Sequence, residues 1–560
     1  MEEHRLAAPK PEGRRLGRAV GLAAAVLLLD ASVTFENVWP TPAVRWWGAL
    51  SIECAVCILA IGAAARWRRR SLSTTAVGWL SAAWTALIIG RYADVTAPAL
   101  YGRDINLYWD AQYMPDVVAM VARAAPLWLL VVALWAVALI LVLFYIVFRW
   151  AFGRVSEALA DARKRRWLAG GAIAALAVFA GQHVLARFST EVYEFEPPVR
   201  FPTPVTQTYI RQARLVLAAR AGVKTLPPSP SMDADLALVR GADVSLIFIE
   251  AYGAIAYERV DIAPNLVAER AELAAAIRDT HQEVVSAFVE SPTFGGSSWL
   301  AHISLMSGVE VRDPATNASL MTQQRETLVK TFKRQGYRTL ALMPGLRQRW
   351  PEGAFYGFDE IYGATRLDYR GPEFGWFAIP DQFSLARADA LERSQPSPKP
   401  TFMFFPTIST HFPFIPTPPY QPDWARMLTA TPYSGSAIVE AYDQEPDWTS
   451  FGPGYVRAVR YTYQTLAGYL RANAGSDRIL IVLGDHQPAA AVSGEGAPWD
   501  VPVHVIAPAG STPDRSAILA RLTARGFRPG LVPQRPALGK MHTLLPILLD
   551  AFSEVRRAPL

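Results

Sequence analysis

The chain has 560 residues, 51% of them hydrophobic, and a formal net charge of +6. This length allows a membrane region and one large globular domain. Residues 1–187 carry 20 Lys and Arg against 12 Asp and Glu, and the remaining residues carry 35 against 37. The excess base therefore belongs to the N-terminal part, where it would set membrane orientation, which argues against a nucleic-acid surface. Two cysteines, Cys54 and Cys57, lie in one apolar stretch, which excludes a disulfide framework and a thiolate zinc cluster.

The N-terminal part contains five apolar segments that approach the roughly 20 residues a helix needs to cross a bilayer. They cover residues 17–35, 46–65, 75–93, 124–148 and 167–186. We therefore predict a transmembrane domain with five helices over residues 1–187. The first segment is interpreted as an anchor, because no small-residue cleavage site clearly follows it.

Basic residues predict the orientation of this domain. Clusters of Lys and Arg lie within residues 5–18, 66–70 and 149–166, all on one side of the membrane if there are five spans. By the positive-inside rule that side is cytoplasmic. An odd number of spans places the rest of the chain outside the cytoplasm, so the sequence predicts a multi-pass protein of the bacterial inner membrane with a periplasmic or other extracytoplasmic domain.

Residues 188–240 are predicted to be a linker that contains an amphipathic, membrane-surface helix at 205–221. From residue 241 to residue 560, short apolar runs alternate with helical stretches, one of them predicted at 264–289. This alternation is typical of an α/β sandwich with a mostly parallel sheet. Ligand sites in such sheets lie at the carboxyl ends of the strands.

Polar side chains end two of the apolar runs. Glu250 ends the run Asp243–Glu250, and Asp485 and His486 end the run Ile479–His486. Their carboxylate oxygens and imidazole nitrogen are a ligand set that suits one divalent metal, Zn or Mn. A capped loop is the alternative interpretation of Gly-Asp-His alone.

Between these runs, Ser298 lies in the glycine-rich turn Phe294–Trp299. A divalent cation favours the alkoxide of a serine, which makes Ser298 a candidate fourth metal ligand and nucleophile. A helix cap is the alternative, and Ser297 and Thr293 are the other candidate hydroxyls.

These motifs resemble the sulfatase-like membrane branch of the alkaline phosphatase superfamily, which includes lipoteichoic acid synthases, glucan phosphoglycerol transferases and phosphoethanolamine transferases. The family's metal-binding Glu resembles Glu250 in Phe-Ile-Glu-Ala-Tyr-Gly, and its Asp-His pair resembles Asp485 and His486 in Leu-Gly-Asp-His-Gln-Pro. The family nucleophile corresponds to Ser298, although the membrane enzymes usually carry Thr. True sulfatases need a following x-Pro-x-Arg, which Ser298-Trp-Leu-Ala-His302 does not have.

The resemblance also implies a substrate site. Thr407–Phe414 is similar to a segment of the phosphoglycerol transferases, in which His411 would bind phosphate, and Arg349 and Trp350 fall where those enzymes contact the headgroup. His302 corresponds to the sulfatase Arg and is a further candidate phosphate contact, with capping of the turn as the alternative. His504 is predicted to face the site from the last strand, with a core position as the alternative.

Together these features predict a membrane-anchored, metal-dependent phosphoglycerol-type transferase that works through a phosphoserine. The predicted donor is a membrane phospholipid and the acceptor a lipid or glycan. Phosphoethanolamine transfer and phosphodiester hydrolysis are the alternative activities, and a sensor on an inactive catalytic fold is the non-enzymatic alternative.

Overall fold

A computed structural model describes residues 11–39, 41–102, 105–111, 114–115, 118, 127–188, 199–221, 225–347, 350, 352–375, 377–396, 399–444, 447, 450–510 and 515–554. The chain divides into two compact units, residues 1–99 with 104–221 and residues 100–103 with 222–560. We refer to them as the N-terminal unit and the globular unit.

The N-terminal unit is helical apart from a short hairpin of β1 (Glu36–Asn37) and β2 (Val44–Arg45). Its helices are α1 (Pro11–Ala31), α2 (Ile52–Arg68), α3 (Thr74–Tyr101), α4 (Leu107–Asp110), α5 (Leu127–Ala160), α6 (Ala162–Phe188) and α7 (Val205–Ala221). Helices thus cover most of each of the five apolar segments, among the residues that the structure describes, and the predicted helix at 205–221.

Two of the described helices are long and apolar enough to cross a membrane by length and composition, over Trp128–Ala160 and Ala162–Val184. The five-span membrane domain therefore stays a prediction. The side chains of α5 are largely exposed, whereas α1 and α2 bury side chains such as Leu29 and Ile61 in the core of the unit.

The globular unit is built on a mixed eight-stranded sheet of order β10-β4-β9-β8-β3-β7-β5-β6. The strands are β3 (Asp243–Ile249), β4 (Gln282–Glu290), β5 (Arg338–Met343), β6 (Glu360–Gly363), β7 (Thr401–Pro406), β8 (Arg478–Gly484), β9 (Asp500–Pro508) and β10 (Arg528–Pro529). The pairs from β8 to β6 are parallel, and the pairs on the β10 side are antiparallel. The predicted α/β architecture with a mostly parallel sheet is confirmed.

Helices cover both faces of this sheet. They are α8 (Ile255–Glu258), α9 (Val267–Asp279), α10 (Trp299–Ser307), α11 (Pro314–Met321), α12 (Leu328–Arg334), α13 (Gly353–Tyr356), α14 (Ala364–Leu367), α15 (Asp381–Arg393), α16 (Trp424–Met427), α17 (Gly435–Tyr442), α18 (Gly452–Ala472), α19 (Ala490–Ser493), α20 (Ser516–Ala524) and α21 (Leu544–Phe552). Strand β3 is buried on both faces: Leu246 and Phe248 pack in one core cluster, and Ile247 and Ile249 in the other. This two-sided burial explains why β3 reads as a continuous apolar run.

The helix predicted at 264–289 is wrong in its second half. Helix α9 ends at Asp279, His281 adopts a left-handed φ of 55°, and the chain then enters β4. Residues 282–290 form a full antiparallel ladder with β9. The β-branched and aromatic side chains of this segment pack on the sheet, so tertiary pairing overrides the helical pattern.

Candidate active site

The site lies where the central strands β3 and β8 end. These strands are parallel neighbours whose last paired residues are Ile249 and Gly484. Glu250 therefore leaves the sheet beside Asp485, and His486 follows directly. Sequence reasoning anticipated this convergence, because parallel neighbours end at the same edge of a sheet.

Four side chains meet at this edge. The Ser298 hydroxyl donates a hydrogen bond to Glu250 Oε2 at 2.7 Å and lies 3.2 Å from His486 Nε2. The same His486 nitrogen is 3.3 Å from Glu250 Oε1 and 3.8 Å from Asp485 Oδ1. One ligand atom from each of Glu250, Asp485 and His486 lies within 4.8 Å of the other two. The cluster combines three potential metal ligands with a hydroxyl group.

Backbone contacts fix the orientation of Asp485. Its Oδ1 accepts hydrogen bonds from the amides of Ala251, at 2.8 Å, and His486, at 2.6 Å. The preceding Gly484 leaves no room for a side chain, because a Cβ there would lie 1.7 Å from the carbonyl oxygen of Tyr252. A glycine at this position thus allows the two strand-end loops to approach each other.

A carbonyl group also fixes the tautomer of His486. The His486 Nδ1 lies 2.7 Å from the carbonyl oxygen of Gln487. Because a carbonyl only accepts, Nδ1 carries a proton, and Nε2 faces Glu250 and Ser298, where it can bind a metal once it has lost its own proton. A metal-binding imidazole requires this arrangement.

The turn that carries Ser298 has an unusual backbone. Gly295, Gly296 and Ser297 all have positive φ angles, of 66°, 145° and 61°. Ser298 follows in a helical conformation as the first residue before α10, and its side chain makes no capping hydrogen bond. Its hydroxyl points to the cluster instead, which argues against the helix-cap interpretation.

The other two candidate hydroxyls are placed differently. The Thr293 hydroxyl donates to the carbonyl oxygen of Gly296 at 2.6 Å, so it stabilises the turn itself. Ser297 occupies a left-handed position one residue before Ser298, and no described residue forms a side-chain hydrogen bond with it. Among the three, Ser298 is the residue whose hydroxyl contacts Glu250.

The two carboxyl groups and the imidazole of the cluster are buried in close contact, and this shifts the pKa of each. Burial and the charge of Glu250 raise the pKa of Asp485 well above its ordinary value. Burial also disfavours the charged form of Glu250, but the hydrogen bond and charge of His486 outweigh it and lower the pKa of Glu250. For His486, burial is likewise outweighed by Asp485 and Glu250, which raise its pKa to about 9.

This donor set fits a divalent cation. Two carboxylates this close repel each other when both are charged. The cluster therefore needs protons or a positive charge between its carboxylates and the facing imidazole nitrogen. A divalent cation bound by Glu250, Asp485 and His486 would supply that charge, and Ser298 is placed to join it. Mixed oxygen and nitrogen ligands suit Zn or Mn.

The loop after β7 brings His411 to the same edge. Two hydrogen bonds connect this loop to the backbone of Glu250. The amide of Glu250 donates to Thr407 Oγ1 at 3.1 Å, and the Thr410 hydroxyl donates to the carbonyl oxygen of Glu250 at 2.6 Å. His411 Nδ1 lies 2.7 Å from the carbonyl oxygen of Phe412, and Phe377 packs edge-on at 5.0 Å between centroids.

A buried carboxylate holds this loop in place. Asp381, at the start of α15, accepts hydrogen bonds from the amides of Ile408 and Ser409, both at 2.9 Å. Burial raises the pKa of Asp381 to about 6 despite those hydrogen bonds. Sequence reasoning did not assign Asp381 a role. The available signal was an acidic residue directly after Pro380 at the start of a helix.

Three further predicted substrate contacts are His504, Trp350 and Arg349. His504 is a correction: its Nδ1 is 2.6 Å from the Ser286 hydroxyl and its Nε2 is 3.0 Å from the Tyr257 hydroxyl, so the core uses both nitrogens. Burial lowers the pKa of His504 to about 3. Trp350 packs against Tyr356, at 5.5 Å between centroids, and Phe358. Arg349 lies outside the described residues.

His302 is close to the cluster but is held in an aromatic environment. Its ring lies 4.6 Å from that of Phe248 and 5.2 Å from that of Phe404. Burial lowers the pKa of His302 to about 3, and its Nε2 is buried with no hydrogen-bond partner among the described residues. The expected capping of the turn is therefore not observed.

Comparisons with known proteins agree with this architecture. The sulfatase family model matches residues 302–503, a range that includes His411, Asp485 and His486. Glu250 and Ser298 lie before the matched range, and the fold brings them to the same cluster. No curated protein matches the chain.

Several solved structures are similar in fold. An alkaline phosphatase superfamily protein from Vibrio parahaemolyticus is 16% identical, with a TM-score of 0.36, over 62% of this chain and 78% of its own. The lipoteichoic acid synthase LtaP from Listeria monocytogenes is 13% identical, with a TM-score of 0.36, over 59% of this chain and 80% of its own. The phosphoglycerol transferase GacH from Streptococcus pyogenes, in complex with sn-glycerol-1-phosphate, is 13% identical, with a TM-score of 0.35, over 63% of this chain and 86% of its own.

The match over residues 302–503 covers strands β5 to β8 and nearly all the helices between them. The globular unit is therefore similar to the sulfatase family over residues 302–503.

Proposed function

We propose that the protein is a membrane-anchored, metal-dependent phospho-headgroup transferase of the phosphoglycerol type. The observation that carries the proposal is the 2.7 Å hydrogen bond from the Ser298 hydroxyl to Glu250 inside a cluster of potential metal ligands. A serine hydroxyl held by a carboxylate is the equipment for covalent phosphoryl transfer.

The residues of the cluster have different roles in the proposed reaction. Glu250, Asp485, His486 and Ser298 would hold a divalent cation, which when bound supplies positive charge that favours the serine alkoxide and offsets the charge of a phosphodiester. Glu250 Oε2 accepts a hydrogen bond from the Ser298 hydroxyl and so orients the Ser298 oxygen. His411, on the neighbouring loop, contacts the non-bridging phosphate oxygens.

The first half of the reaction consumes the donor phospholipid. Ser298 Oγ attacks the phosphorus and loses its proton, so that an Oγ–P bond forms. The bond between phosphorus and the glycerol oxygen of the diacylglycerol breaks, and that oxygen takes up a proton to leave as diacylglycerol. The product is a Ser298 phosphodiester that carries the glycerol headgroup.

The second half regenerates the serine. A hydroxyl group of a lipid or glycan acceptor attacks the same phosphorus, the Oγ–P bond breaks, and Ser298 recovers a proton. This ping-pong order needs one nucleophile and one cation site. Sulfate-ester hydrolysis is disfavoured, because Ser298–His302 lacks the Pro and Arg that formylglycine formation requires.

The choice of phosphoglycerol rests on the similarity of Thr407–Phe414 to the phosphoglycerol transferases. The placement of the reaction outside the cytoplasm rests on the basic clusters of the N-terminal unit and on the odd number of spans that the sequence predicts. In this topology the donor is a lipid of the outer leaflet.

A trapped intermediate tests the proposal. The full-length protein is incubated with phosphatidylglycerol vesicles without acceptor, and the peptide 293–299 is analysed by mass spectrometry. We expect one phosphoglycerol group on wild type and on Ser297→Ala, and none on Ser298→Ala. Labelled phosphatidylglycerol is followed by lipid chromatography in parallel. Free headgroup as the sole labelled product with acceptor present would refute transfer, and an adduct on Ser297 would refute the assigned nucleophile.

A further inference from the structure

The N-terminal unit contains a groove of about 1080 Å³ between α1, α2 and α6. This volume is at the upper end of the roughly 300–1,000 Å³ that ligand pockets of proteins occupy. Most of its walls are aliphatic side chains from the three helices. The groove belongs to the N-terminal unit alone and contributes nothing to the cluster around Ser298.

The ends of the groove differ in charge. Arg18 of α1 and Arg163 and Lys164 of α6 line one end, together with the indole of Trp167. Asp30 and Ser51 line the opposite end, where Asp30 Oδ1 accepts the amide hydrogen of Ser51 at 2.8 Å. The groove thus has a basic end, an apolar middle and an end that carries Asp30 and Ser51.

The length of the groove matches a lipid tail. Arg18 and Asp30 are twelve residues apart on α1, which places them about 18 Å apart along the helix axis. One leaflet of a bilayer contributes about half of a hydrocarbon core of about 30 Å. An acyl chain that enters at the basic end and extends about 15 Å would therefore cover most of the distance to Asp30.

The basic end keeps its positive charge. One acid at this end is Asp161, whose Oδ1 accepts the amide hydrogens of Arg163, at 3.0 Å, and Lys164, at 2.9 Å. Even with this carboxylate counted, the cations of Arg18, Arg163 and Lys164 leave an excess of positive charge. Basic pockets between membrane helices attract anionic headgroups, and Trp is common at the same depth.

We propose that this groove binds an anionic phospholipid, with an acyl chain between α1, α2 and α6 and its phosphate at Arg18, Arg163 and Lys164. The site lies at the basic end of the helices, which the charge pattern assigns to the cytoplasmic leaflet. It is therefore separate from the donor lipid of the transfer reaction. The inference uses the membrane placement given under the proposed function and does not use its chemistry.

A glycine of the groove gives a matched test. Gly171 lines the groove, whereas its neighbour Gly170 does not. A Cβ added at either position meets no atom within 4 Å, so a side chain can start at both places without a clash at its first carbon. Gly171→Leu fills the groove, and Gly170→Leu is the control on the same helical turn.

The probe is phosphatidic acid, which is anionic and has no alcohol headgroup to transfer. Full-length protein is reconstituted in nanodiscs of equal phosphatidic acid and phosphatidylcholine, extracted in mild detergent and examined by native mass spectrometry. We expect phosphatidic acid to stay bound to wild type and to Gly170→Leu, and to be absent from Gly171→Leu. Equal retention by the two leucine variants, or no preference for phosphatidic acid in wild type, overturns the proposal.

Charge variants complete the test. Arg18→Gln/Arg163→Gln/Lys164→Gln should weaken retention of phosphatidic acid roughly a hundredfold, about fivefold for each cation. The control is Arg66→Gln/Arg68→Gln. These two arginines lie in the last turn of α2 and do not line the groove, so this variant should retain phosphatidic acid. A mass of two protein copies without lipid would show that a second chain fills the groove and would also overturn the proposal. Failure of the phosphoserine experiment leaves these results unchanged, so the two hypotheses fail separately.

Discussion

The Ser298 hydroxyl lies 2.7 Å from a carboxylate oxygen of Glu250, although 48 residues separate the two in the chain. Glu250 leaves the end of a central strand, and Ser298 lies before a helix that packs on one face of the sheet. The contact makes Glu250 a partner of the proposed nucleophile as well as a potential metal ligand.

Metal binding should stabilise the wild-type protein and leave a ligand variant unaffected. With Zn or Mn at about a hundredfold excess over Kd, the wild type should gain about 2.7 kcal/mol of unfolding free energy relative to protein treated with EDTA. Asp485→Asn should gain none, because the variant loses a ligand. Thermal unfolding and the metal content of purified protein measure this. A metal-dependent shift of equal size in Asp485→Asn would contradict the assigned ligands.

Gly484→Ala should disrupt the strand-end geometry. The added Cβ would lie 1.7 Å from the carbonyl oxygen of Tyr252, which is a backbone atom and so cannot move aside as the end of a flexible side chain could. We expect a loss of about 3 kcal/mol or more in unfolding free energy, together with loss of metal. Gly435→Ala is the control, since a Cβ at Gly435 meets no atom within 4 Å. Equal thermal midpoints for the two variants would refute this explanation.

Asp381 should make the stability of the protein depend on pH. Its pKa rises from the ordinary 3.8 to about 6 because the carboxyl is buried. The folded state therefore binds this proton more tightly than the unfolded state, so the stabilising effect is complete below about pH 4 and is lost as the pH rises to about 6. We expect wild type to lose about 3 kcal/mol relative to Asp381→Asn across this interval.

Thermal midpoints of both proteins, saturated with metal, measure this difference from about pH 4 to about pH 6.5. The asparagine should also raise KM, because its amide replaces one of the two acceptors that hold the amides of Ile408 and Ser409. Parallel pH profiles for the two proteins would show that Asp381 does not titrate in this range.

The two histidines His411 and His504 should separate activity from stability. His411→Ala should lower kcat/KM about a hundredfold with an unchanged thermal midpoint, because it removes a phosphate contact from a surface loop. His504→Leu should cost about 1–3 kcal/mol of unfolding free energy, since the hydroxyls of Ser286 and Tyr257 lose a buried partner. Its kcat/KM should stay close to that of wild type. The reverse pattern would return His504 to the site.

The apolar runs of the sequence were enough to predict the α/β architecture and the edge of the sheet at which Glu250, Asp485 and His486 meet. The reason is local: a strand buried on both faces must be apolar throughout, and parallel strands end together. Residues 282–289 belonged to the helix predicted over 264–289, and only the ladder with β9 identified a strand there.

The tertiary structure decided which side chains belong to the site. The sequence favoured Ser298 and left Ser297 and Thr293 as the other candidates, and three successive left-handed residues determine which hydroxyl faces Glu250. His504 follows an apolar run as His411 does, yet its position inside β9, between Ser286 and Tyr257, directs it into the core. Loop conformation and the packing of distant segments set the direction of each side chain, and neither is encoded in a local pattern of residues.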